Sequence, residues 1–131
     1  MKAHRTLGRH AARSIEPSGL GVSDFAILEV LLHKGPQKVN EIGRRIDLTS
    51  GSITTAVDRL EAQGLVARAH DAADRRSRIV CLTPKGRSRI EDVFAHHAAA
   101  LEAAARGLTR AERATLISLL KKLGTTAREM T

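Results

Sequence analysis

The hydrophobic period of this chain is interrupted over one stretch, and that interruption constrains the fold more than any other feature. From Phe25 to Leu60 apolar residues recur every three or four positions, the spacing of helices buried on one side. After Gly64 the spacing tightens. Leu65-Val66-Ala67-Arg68 and Arg78-Ile79-Val80-Cys81-Leu82 read as two short strands flanking a polar tip, His70-Asp71-Ala72-Ala73-Asp74-Arg75-Arg76. At Thr83-Pro84 the helical period returns, with Thr as cap and Pro at the first helical position.

The helices before and after that hairpin are punctuated clearly. Leu7, Ala11 and Ile15 predict a first helix over 4–15, interrupted by Gly8 and closed by Glu16-Pro17-Ser18-Gly19. Ser23 offers an N-cap for a second helix, with Asp24 in its first turn where the helix dipole favours negative charge. Phe25, Leu28, Leu31 and Leu32 form its stripe, and Gly35-Pro36 ends it. A short helix follows with Val39, Ile42 and Ile46 inward and Gly43 suited to close packing. Thr49 or Ser50 caps the next, which carries Ile53, Val57 and Leu60 and stops at Gly64. Beyond the hairpin, a long helix presents Ile90, Val93, Phe94, Ala98, Leu101 and Ala105, and Gly107 breaks it. Thr109-Arg110-Ala111-Glu112 is a capping box opening a last helix to about Ala127, with Leu116, Ile117, Leu120 and Leu123 as its stripe. The fold class is therefore mainly α with a small β-hairpin wing.

Charge gives the next constraint. The 131 residues carry 22 Lys and Arg against 14 Asp and Glu. Residues 37–90 hold 11 bases and 6 acids, whereas residues 91–131 hold 6 and 5. The surplus is thus local, and a local basic surplus favours an anionic partner, nucleic acid before a membrane surface. Two Phe and no Trp or Tyr leave nothing on which to stack unpaired bases, which disfavours single-stranded nucleic acid or RNA loops. The lone Cys81 excludes an intramolecular disulfide. With no signal-like or membrane-length apolar run, a cytoplasmic protein is expected.

Two short helices joined by a brief turn, then a basic hairpin, make a winged helix-turn-helix. Such a helix enters the major groove with its N-terminal residues toward bases and phosphates. Ser50, Ser52, Thr54 and Thr55 are hydroxyls at the required short reach, and Gly51 lets backbone N–H groups approach a phosphate at a positive helix end. Arg59, one turn on, has the length to reach a phosphate or a guanine edge. Residues 68–89 contain seven bases and two acids. Arg75, Arg76 and Arg78 are the candidate wing contacts, and Asp74 stands two residues before Arg76 to hold its guanidinium.

The run 39–86 resembles the core of the MarR family of regulators. The resemblance lies in Leu48-Thr49-Ser50-Gly51-Ser52-Ile53-Thr54, Val57-Asp58-Arg59-Leu60-Glu61, Gly64-Leu65-Val66, Asp74-Arg75-Arg76-Ser77 and Leu82-Thr83-Pro84-Lys85-Gly86, five pieces in order. It implies one intertwined domain, with 23–83 as the DNA-binding region and 1–22 and 84–131 as helical dimerisation regions. It also implies a homodimer gripping a pseudo-palindromic duplex, repression more often than activation, and a phenolic or lipophilic anion as effector. Asp74 and Arg76 match the family's wing-tip pair, and 50–59 its recognition helix. Many relatives have a longer first helix, and the position after Thr54, often basic in relatives, is Thr55 here.

Other readings of the same residues are plainer. Asp92 and His96 share a helix face as two metal ligands would, but no third ligand is evident, so His96 and His97 are expected to be ordinary surface histidines and no metal or cofactor is expected. Cys81 on a wing strand is expected to be a structural thiol rather than a redox sensor. There is no Gly-rich phosphate loop, HExxH or GxSxG, and an enzyme is not expected. A non-specific architectural DNA binder and a winged-helix protein-interaction module remain as alternatives.

Overall fold

The structure, a computed structural model, describes residues 2–131. Helix α1 (Lys2–Ile15) and a 3-10 turn (Glu16–Ser18) lead into α2 (Val22–Lys34). Strand β1 (Gln37–Lys38), helices α3 (Val39–Ile46) and α4 (Ser50–Ala62), and strands β2 (Val66–His70) and β3 (Arg78–Leu82) follow. Helices α5 (Pro84–Ala104) and α6 (Arg110–Glu129) complete the chain. The mainly helical class and the hairpin agree with the sequence pattern.

Strand β1 was not foreseen. Two residues are too few to show a period of two, so only tertiary pairing reveals it. Gly35 turns the chain with φ of 73°, and Pro36 disfavours continued helix. Gln37 then pairs opposite Val80 and Lys38 opposite Ile79. The sheet is antiparallel throughout in the order β1-β3-β2, with Val66 opposite Leu82 and His70 opposite Arg78. Strand β3 is thereby central, and the wing is anchored directly to the start of α3.

The caps correct one expectation and support the others. Helix α2 begins at Val22 with Gly21 as its N-cap, so Ser23 is already inside the helix. Thr49 caps α4, Thr83 caps α5, and Thr109 with Glu112 forms the capping box of α6. Asp47, with φ of 59°, ends α3 in the left-handed conformation that Asp tolerates better than most residues. Leu48 N–H then donates to the Gly43 carbonyl at 2.9 Å, making the tight turn between α3 and α4.

One core joins these elements. Ile27, Leu28 and Leu31 of α2 are buried with Ile42 of α3, Ile53, Val57 and Leu60 of α4, Val80 of β3 and Ile90 of α5. Gly43 earns its place here, since a Cβ would lie 3.3 Å from both Ile53 Cγ2 and the Leu48 oxygen. Helix α6 differs from all the others, because none of its residues is buried. Its stripe of Leu116, Ile117, Leu120 and Leu123 is 44–67% exposed.

His97 also departs from expectation. It is buried rather than on the surface, with Nδ1 2.8 Å from Ser14 Oγ and its ring 4.8 Å from that of Phe25. Ser14 already donates its hydroxyl proton to the Ala11 carbonyl at 2.6 Å, so His97 is the donor in the contact between them. His97 thus joins α1, α2 and α5 at one point. Its neighbour His96 is exposed, as expected.

Candidate nucleic-acid interface

Helix α4 is amphipathic in the sense a groove reader requires. Ile53, Ala56, Val57 and Leu60 face the core, while Ser50, Gly51, Ser52, Thr54 and Thr55 are exposed. At its start, Thr49 Oγ1 accepts from the Ser52 N–H at 3.3 Å and donates to Ser52 Oγ at 2.9 Å. That arrangement leaves the Ser52 hydroxyl proton free to donate outward. The N–H groups of Ser50 and Gly51 fall in the first turn, where a helix lacks internal acceptors and carries positive potential. Thr54 and Thr55 instead donate back to the Ser50 and Gly51 carbonyls, at 2.9 and 3.0 Å, and offer lone pairs outward.

The wing tip is held by its own backbone. Ser77 N–H donates to the Asp74 carbonyl at 3.0 Å, and Asp71 N–H donates to the Ser77 carbonyl at 3.0 Å. The Asp74 carboxylate accepts from the Arg76 backbone N–H at 3.0 Å. Asp74 therefore sets the turn that carries Arg76 and does not engage its guanidinium, contrary to the sequence expectation. Arg75, Arg76 and Arg78 are exposed and have no acidic partner among the described residues.

Between wing and helix lies a cleft of about 620 Å³. It gathers Ser50 and Thr54 from α4, Arg78 from the wing, and Lys38, Asn40 and Arg44 from the start and flank of α3. The last three escaped the sequence reading, because the signal lay in the pairing of β1 with β3, which brings Lys38 beside the wing. The basic pair Arg44-Arg45 before the turn was the one available hint. Ser52 and Thr55 lie outside the cleft, on the same exposed side of α4.

Arg59 is placed differently from the other candidates. Its Nε donates to Asp24 Oδ2 at 3.1 Å, and Nη2 donates to the second carboxylate oxygen. Arg68 of β2 donates to Asp58 at 2.7 Å and to Glu61 at 3.2 Å, tying the wing strand to α4. Cys81 is half-buried, its thiol donating to the Ala67 carbonyl across the hairpin at 3.4 Å.

An exposed N-terminal helix turn, a preceding helix set by a tight turn, and a cationic hairpin beside it define a winged helix-turn-helix regulator that binds DNA. The MarR family sequence profile matches residues 18–77. The chain is 37% identical over 123 residues to the HTH-type transcriptional regulator YkoM of Bacillus subtilis, covering 94% of this chain and 80% of that protein. It is also 37% identical over 128 residues to the HTH-type transcriptional regulator MhqR of the same organism, covering 98% and 88%. The solved structure of BpsR from Bordetella bronchiseptica, whose DNA binding is regulated by 6-hydroxynicotinic acid, superposes with a TM-score of 0.77 at 30% identity, covering 93% of this chain and 89% of that one. The chain belongs to the MarR family.

Proposed function

We propose that the protein represses transcription as a homodimer bound to a pseudo-palindromic duplex. The carrying observation is the concentration of unpaired cations and free helix-end donors around the cleft between α4 and the wing. The first turn of α4 enters the major groove, where Ser50, Gly51 and Ser52 donate to phosphate and Thr54 and Thr55 face base edges. Arg78 with Lys38 and Arg44 borders the same strand, while Arg75 and Arg76 at the tip reach the adjacent minor groove. Asp74 contributes by fixing the turn.

The dimer is supported by α6, whose apolar stripe stays largely exposed among the described residues. Residues 1–22 and 84–131 supply that interface, and 23–83 supply the DNA-binding region. A small aromatic acid is the proposed effector. Its support is a groove of about 620 Å³ with apolar walls from Leu7, Phe94, Ala98 and Leu101 and polar groups from His97 and Arg113. The likeness to BpsR, regulated by such an acid, points the same way.

Fluorescence anisotropy on duplexes from around the protein's own gene, with excess random competitor, tests the reading. The wild type is expected to hold one duplex against competitor. Arg76→Ala is expected to weaken that binding about ten- to a hundredfold and to lower the salt slope by about two, one for each wing of the dimer. Hydroxylated aromatic acids are expected to release the bound duplex. Equal binding to all sequences would replace repression with architectural packing of DNA. Indifference of duplex binding to Arg76→Ala would favour a protein-interaction module.

A further inference from the structure

We infer that Asp24 is a positioning residue for the recognition helix α4, and that Arg59, although it stands on that helix, is withheld from DNA. This rests on the reading of α4 and the wing as a duplex-binding surface. The Asp24 side chain is only 10% exposed, whereas that of Arg59 is 48% exposed. The two form a bidentate pair that spans from the first turn of α2 to the last turn of α4. Turning Arg59 toward a phosphate would leave a buried carboxylate without its partner, a strongly unfavourable exchange. The pairing also raises the Arg59 guanidinium above its ordinary pKa, first through the hydrogen bond to Asp24 and then through its charge.

A second clamp acts on the neighbouring residue. Arg68, 18% exposed, joins Asp58 and Glu61 of α4, and its backbone N–H also donates to Glu61 at 3.1 Å. Helix α4 is therefore fixed from α2 on one side and from β2 on the other. The basic residues of this region divide into two groups. Arg59 and Arg68 are neutralised internally and set the angle at which α4 is presented. Arg44, Arg45, Arg75, Arg76 and Arg78 have no acidic partner among the described residues and remain available to phosphate. A cation already neutralised by a carboxylate displaces few counterions from DNA, so Arg59 should be nearly silent in the salt dependence.

The test compares specific and random duplex affinities across a series of salt concentrations. The variants are Asp24→Asn with Arg59→Gln together, Asp24→Asn alone, Arg59→Lys, and Arg76→Ala as reference. The double variant keeps the net charge and is expected to retain the wild-type salt slope, while its specific-to-random ratio falls about tenfold. Asp24→Asn alone releases Arg59 in both protomers and is expected to steepen the slope by about two and to tighten random binding. Arg59→Lys, which keeps the charge pair without its fork, is expected to recover part of the ratio lost in the double variant. A slope lower by about two in the double variant, one for each protomer, would make Arg59 a phosphate contact and overturn the assignment. An unchanged ratio would reduce the pair to a fold contact and overturn it equally. Should Asp24→Asn alone fail to fold, the double variant and Arg59→Lys decide the matter. Arg76→Ala binding like wild type would count against the DNA surface itself, whatever Arg59 does.

Discussion

At Gly86 a Cβ would stand 1.8 Å from the Leu65 carbonyl oxygen and 2.7 Å from its carbon, so the first turn of α5 rests directly on the backbone that enters β2. The same oxygen accepts from the Thr83 N–H at 3.1 Å. Thr83 Oγ1 donates to the Gly64 carbonyl at 2.6 Å and accepts from the Gly86 N–H at 3.0 Å. The end of α4, the wing and α5 are thus knotted within a few residues. Gly86→Ala is expected to destabilise the protein by about 3 kcal/mol or more, because both of these atoms belong to the backbone and cannot swing aside. Urea unfolding followed by circular dichroism measures this. Thr83→Val is expected to cost about 1–2 kcal/mol by the same assay, through loss of the cap and of the bond to Gly64. A stability matching wild type in Gly86→Ala would show that the wing stands off from α5.

At the scale of elements, helix ends were legible wherever a cap or stop is built from adjacent residues. Thr49, Thr83, the Thr109–Glu112 box and Gly35 are of this kind. Ser23 does not mark the boundary because a capping hydroxyl needs its own residue's backbone to be extended, and here Gly21 takes that conformation. Strand β1 and its cleft residues Lys38, Asn40 and Arg44 were illegible, since their grouping depends on a partner some forty residues away. The extent and buried stripe of α4 were legible, but the pairing of Arg59 with Asp24 was not. A long cation on an exposed face gives no sign in sequence that a carboxylate 35 residues earlier will bind it. The last helix permits a direct check of the capping argument. Thr109→Ala removes one side of the box and is expected to cost about 1 kcal/mol, read as a lowered denaturation midpoint.

For the whole molecule, the decisive contrast is between a well-filled core around α2–α4 and a twenty-residue α6 with nothing buried. Helices in water draw most of their stability from packing an apolar face, and that of α6 is left largely exposed by the described residues. With the proposed dimer, Leu116→Glu combined with Leu120→Glu is expected to give a monomer by equilibrium sedimentation and to abolish tight operator binding. A variant that stays dimeric would move the interface elsewhere. The exposed stripe also bears on how the regulator behaves as a cell grows. Where most copies are single chains, the concentration of the binding species varies as the square of the amount of protein. Halving the supply would then cut promoter occupancy about fourfold at the low end, giving a lone regulator a sharpened threshold without any cooperative interaction on the DNA.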